Sequence, residues 1–155
     1  LAGACGHTYG NHNIWQMWRA GERNVIGAEI PWYIAIDHPG SFEMSHLRKF
    51  FETNPWYKLE PAQELIVDGP RNGASKIRSA LASDGTFLVV YSPRGEPFTL
   101  NLDSLSSVKT TEKWFDPRYG TYFTILSADT RSVKTFAPPS EADGCDWILV
   151  IETRK

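Results

Sequence analysis

Cysteine is scarce in this chain: Cys5 and Cys145 are its two thiols among 155 residues. Two cysteines cannot by themselves build a structural zinc site. They read as two unpaired buried thiols, with pairing in an oxidising compartment as the alternative. No run of apolar residues approaches the roughly 20 needed for a membrane-spanning helix, which excludes a helical span. Excess charge is also lacking. A net charge of −2 gives no electrostatic reason to expect nucleic acid or an anionic membrane as partner. The opening LAGACGHTYG has no initiator Met, no basic segment and no apolar core of a signal peptide. A start on Leu1 amid small apolar residues reads as the interior of a longer chain.

What the sequence does have is aromatic side chains: six Trp, six Tyr and eight Phe. Their rings fill cores, and they also stack on the apolar faces of sugars, so the surplus is compatible with carbohydrate contact. Hydrophobic residues at 41% and charged residues at 22% are ordinary for a globular domain long enough to bury a core.

The texture changes along the chain. Residues 1–52 have loop-and-helix character. The Gly-, Asn- and His-rich stretch 3–13 suits a strand running out into a polar loop, and Trp15, Trp18, Trp32 and Tyr33 follow. After the Pro39-Gly40 break, Ser41 is the expected cap of a helix. Its Met44, Leu47, Phe50 and Phe51 form one apolar stripe, leaving Glu43, Arg48 and Lys49 in solvent. Residues 53–63 hold two prolines and no period, as a linker would. From Glu64 the period becomes two. Strands are expected at 76–82 and 86–91 around the Ser83-Asp84-Gly85 turn, then at 98–102, 110–115, 121–126, 133–136 and 146–152. Seven or eight short strands punctuated by Pro, Gly and Asp indicate an antiparallel β-sandwich. The apolar run Trp-Ile-Leu-Val-Ile suits a central strand.

Five phrases carry a family resemblance: GHTYGNHNIWQMW (6–18), DHPGSFEM (37–44), YSPRGEP (91–97), WFDPRYG (114–120) and DWILVIE (146–152). In that order they resemble the bacterial apiosidase-like, glycoside-hydrolase-like proteins of the DUF4038 group. In those proteins a (β/α)8 barrel precedes a C-terminal domain labelled collagen-binding. The resemblance implies a mainly β fold, an antiparallel sandwich preceded by the last strand and helix of the barrel. Residues 1–52 would be the barrel end, with strand 3–9 and helix 41–52. Residues 53–63 would be a linker and 64–155 a sandwich accessory domain. An extracellular or periplasmic setting is implied in the same way.

Barrel enzymes keep their sites at the C-terminal ends of the strands, so the resemblance puts His7, Tyr9, Asn11, His12 and Trp15 at the rim of a sugar cleft. Glycosidases need two carboxyl groups, and the resemblance assigns that pair to barrel strands four and seven, ahead of Leu1. Residues 1–16 contain no Asp or Glu. The catalytic acids are therefore expected outside the chain, which alone would be inactive and would meet carbohydrate only as rim or support. Its other partner would be the remaining barrel portion or a second copy. A free-standing module binding carbohydrate or collagen is the rival.

Each residue has a plainer reading. His7 and His12 are either sugar hydrogen-bonders or histidines satisfied by nearby backbone; as metal ligands they lack a third partner at signature spacing. No motif implies a cofactor. Trp15 is either a stacking platform or barrel-edge core. Trp114 and Trp147, with period-two neighbours, belong to the sandwich core, and Tyr119 lies exposed in a turn. Asp116 and Asp146 look like a carboxylate pair but sit beside breaks, where Asp initiates turns.

Overall fold

A computed structural model describes residues 1–3, 6–107, 109–126 and 131–154. The fold is mainly β, with antiparallel sheets and few helices. Among the described residues nine strands run β1 (Leu59–Pro61), β2 (Ile66–Asp68), β3 (Arg78–Ala82), β4 (Phe87–Ser92), β5 (Phe98–Asn101), β6 (Thr110–Asp116), β7 (Thr121–Thr124), β8 (Val133–Phe136) and β9 (Trp147–Thr153). They form a six-stranded sheet, β1-β3-β4-β9-β6-β7, and a three-stranded sheet, β2-β5-β8. All pairings are antiparallel.

The alternation of side chains explains why β4 and β9 read as unbroken apolar runs. Leu88, Val90, Trp147, Leu149 and Ile151 point into the core shared with Phe98, Leu100 and Phe136 of the small sheet. Phe87, Val89, Ile148 and Val150 point to the opposite face and form a second core with Phe115 and Phe50. A sheet covered on both faces needs apolar residues at every position rather than every second one. At the β3–β4 turn, Gly85 has φ +70°, and a side chain there would strike the backbone of Ser104 and Ser106 within 3 Å. That contact fixes the turn against the following loop.

Phe50 comes from the long helix. Two short helices precede it, α1 (His12–Trp15) and α2 (Trp32–Ala35), and α3 spans Pro39–Thr53. The expected Ser41 cap is not used. Pro39 takes the first helical position and His38, extended at φ −67° and ψ 150°, precedes it. Proline fits that place because its missing N–H has no intrahelical partner to lose. The packing stripe also differs. Phe50 is the buried residue of α3 and meets the Phe115 ring at 4.9 Å. Phe51 packs at the edge of that core. Met44 and Leu47 instead line an open groove of about 750 Å³ with Leu1, His7, Phe51 and Trp56. Beyond the stripe, Asn54 donates to the Tyr122 hydroxyl and the His46 ring lies against Gly120.

Residues 53–63, read as a linker, run from the end of α3 through a 3₁₀ turn, Trp56–Lys58, into β1, which pairs with β3. Two prolines and a three-residue strand leave too little period to read. Residues 3–9, expected as a strand, show none at Gly3 or at residues 6–9; Ala4 and Cys5 lie outside the described residues. A parallel barrel strand forms only beside neighbours that supply its hydrogen bonds.

Candidate functional site

The segment after Tyr9 is organised by side-chain amides. Asn11 caps α1, its Oδ1 accepting from the Asn13 N–H at 3.0 Å and from Asn13 Nδ2 at 2.9 Å. The Asn13 side-chain oxygen Oδ1 accepts from the backbone N–H groups of Glu29 and Ile30 at 2.8 and 3.0 Å. Gln16 donates to the Arg23 carbonyl and accepts from the Val25 N–H. Asn24 closes the loop on itself through the N–H and carbonyl of Ala28. Helix α1 ends in a Schellman turn: the Trp18 N–H reaches the Asn13 carbonyl and the Met17 N–H that of Ile14. Met17 takes the left-handed position at φ 46°, where glycine is usual.

On this frame the five expected rim residues are spread along one short stretch. Trp15 is 63% exposed, open to a ligand or to further protein at a barrel edge. Its indole rests on Gly10, where an added Cβ would come within 2.6 Å of Cζ2, and its edge meets the His12 ring at 5.6 Å. His7 and His12 are exposed, and His7 lines the groove beside α3. Tyr9 is half-buried, its ring against Gly40 in the first turn of α3. Asn11 is half-buried and its oxygen is committed to Asn13. The capping role of Asn11 and the bracing by Asn13, Gln16 and Asn24 were not foreseen. An Asn two residues ahead of another at the start of a short helix was the available signal.

Among the described residues, no group of three or more His, Cys, Asp or Glu is placed to hold a metal ion. No helix of the described residues is long and apolar enough to cross a membrane.

At the other end of the molecule, Asp116 and Asp146 are placed as structural groups. Asp116 ends β6, 4% exposed, and accepts from Arg118 Nε and Nη2 at 2.8 Å each. This pairing raises the Arg118 guanidinium above its ordinary value. Arg118 also lies 5.0 Å over the Trp147 ring. Asp146 precedes β9 and accepts from the Tyr91 hydroxyl at 3.2 Å. Burial raises the Asp146 carboxyl, and burial followed by the Asp146 charge pushes the Tyr91 hydroxyl up to about 12. Trp114 and Trp147 are buried in the sandwich core as expected, and Tyr119 is exposed in its turn. Cys145 is a free, half-buried thiol; Cys5 lies outside the described residues.

Over 97% of its length the chain is similar to a structure named as a glycoside hydrolase, with a TM-score of 0.89 and 27% identity, covering 34% of that chain. It is equally similar, at TM-score 0.89 and 26% identity, to a glycoside hydrolase family 5 structure from Bacteroides vulgatus ATCC 8482, covering 97% of this chain and 33% of that one. The chain thus spans about a third of the length of these two structures. Residues 61–152 match the family described as "Putative collagen-binding domain of a collagenase", and the chain belongs to that family. Residues 1–58 match the model of an apiosidase-like catalytic domain. No curated protein matches the chain.

Proposed function

We propose that this chain is the closing part of a glycoside hydrolase, in which residues 1–52 complete a (β/α)8 barrel and the sandwich buttresses it. Residues 53–63 join the two parts, and 64–155 are the accessory domain. His7, Tyr9, Asn11, His12 and Trp15 form one rim of the sugar cleft, and the acid pair is supplied by other segments of the enzyme. The observation that carries this reading is the apolar surface of the first half. Apolar side chains of the first half stand in solvent: Val25 at 68%, Tyr33 at 55%, Ile34 at 51% and Phe42 at 58% exposed. A surface of that kind belongs against further protein, and the match of residues 1–58 to a catalytic-domain model supports a barrel as that protein. The partner is then the remaining barrel, or failing that a second copy, and the ligand is a carbohydrate met outside the cytoplasm.

A second reading, a non-catalytic module binding carbohydrate or collagen, draws support from the family description of residues 61–152. It gives no role to the match of residues 1–58 to a catalytic-domain model. The test is enzymatic. The purified chain is expected to hydrolyse no aryl glycoside above background. In an enzyme that includes the barrel, Trp15→Ala should lower substrate affinity or turnover with little change in melting temperature; a large loss of stability with unaltered kinetics would make Trp15 barrel-edge core instead. Hydrolysis by the chain alone, abolished by a substitution within it, would overturn the reading.

A further inference from the structure

Trp15 closes a helix of four residues, and helices so short are unstable unless tertiary contacts hold them. The contacts that hold this one converge on Asn13. Its side-chain oxygen takes the N–H groups of Glu29 and Ile30, and its amide donates to the cap residue Asn11. One residue therefore ties the start of α1 to a loop 16 and 17 positions later. Two residues beyond it, the indole of Trp15 sits on Gly10 with no room for a side chain beneath. The Schellman turn completes the frame, since its longer bond returns to the Asn13 carbonyl.

We propose that Asn13 is a positioning residue for Trp15 and that Gly10 is its seat, so that the indole is already fixed before any ligand arrives. This rests on the reading of Trp15 as a sugar-stacking rim residue. An exposed aromatic ring ordered in advance spares binding the loss of side-chain freedom that a mobile ring would suffer. It also restricts the ring to one orientation, and a pyranose stacks only on a ring whose face it can reach. Asn11, its oxygen engaged, is left as a hydrogen-bond donor through Nδ2 and suits a ligand oxygen.

The test uses the chain without ligand, so that its failure and the failure of the sugar reading are separate events. Order parameters of the six indole N–H groups are measured by nitrogen-15 relaxation, alongside melting temperature. In the unaltered chain Trp15 should be as rigid as Trp147, near 0.85. Asn13→Ala should lower Trp15 below about 0.6 while leaving Trp114 and Trp147 unchanged. Asn13→Asp, which keeps both acceptor bonds to the loop but loses the donor bond to the Asn11 oxygen, should restore it in part. Gly10→Ala should shift the Trp15 indole resonance without moving those of the sandwich. A mobile Trp15 in the unaltered chain, or a rigid one in Asn13→Ala, would overturn the proposal. Loss of the Trp114 and Trp147 signals in Asn13→Ala would do so too, by making Asn13 a residue of the fold at large. Normal rigidity with no glycan affinity would instead sink the rim reading and leave the positioning role standing.

Discussion

Met17 holds a left-handed backbone conformation that costs a residue with a β-carbon about 1–2 kcal/mol, and its side chain is 56% exposed. Little packing offsets that cost within the chain. Replacing it by glycine removes the strain and adds some unfolded-state entropy, so Met17→Gly should stabilise the chain by about 0.5–1 kcal/mol in urea unfolding. Asp146 gives a pH signature. Its folded value is raised by burial, so the native state holds the proton more tightly than the unfolded chain. Stability contributed by this group is therefore greatest at low pH and falls as pH rises from about 4 through the raised folded value. Tyr91 has the same sign at the alkaline end, losing stability between its ordinary 10 and about 12. Asp146→Asn should flatten the acid-side slope and raise the melting temperature at neutral pH. At this scale the sequence showed which residues are aromatic or amide-bearing, and it correctly separated Trp147 from Tyr119 by period. It could not show that the Asn11 oxygen is spent on a cap, because its partner Asn13 is itself defined by a loop many residues away.

The strands were legible because alternation and turn residues are local. The expected 133–136 segment coincides with β8, and the expected 86–91 and 146–152 segments are shifted from β4 and β9 by one residue at each end. Strands β1 and β2, three residues each, left no period to detect. Helix α3 was recognised from its stripe, but its start was misplaced since Pro39 opens the helix without a side-chain cap. One feature between elements has no local signal. Glu112 on β6 and Lys134 on β8 form an ion pair of 2.5 Å, each side chain 7% exposed, joining the two sheets. Lys134 also lies over the Phe136 ring. Removing one member of a buried pair strands the other charge, at about 3–5 kcal/mol. Lys134→Met should therefore destabilise the sandwich by that amount, read from chemical unfolding. Replacing both residues by apolar ones of similar volume should cost much less.

Across the whole molecule, stability is expected to be uneven. The central strands of the six-stranded sheet, β4 and β9, are buried on both faces and carry residues such as Leu149 and Ile151 with no exposed surface. The first 36 residues are held by amide side chains and a few turns, with Ala28 and Ala35 their buried apolar residues among those described. Regions with few buried contacts open at low free energy, whereas core strands open only with the whole fold. Helix α3 lies between these limits, anchored by Phe50. The order of the two parts and the sandwich were legible in the sequence; how far the first part depends on protein beyond this chain was not, since that depends on surfaces rather than on residue order. Hydrogen exchange in a proven monomer measures it directly. Amides of residues 6–36 should exchange much faster than those of β9 from Trp147 to Ile151, through local openings that leave the sandwich folded. Slow exchange throughout residues 6–36 would show a self-sufficient domain and contradict the account of this chain as the end of a larger catalytic unit.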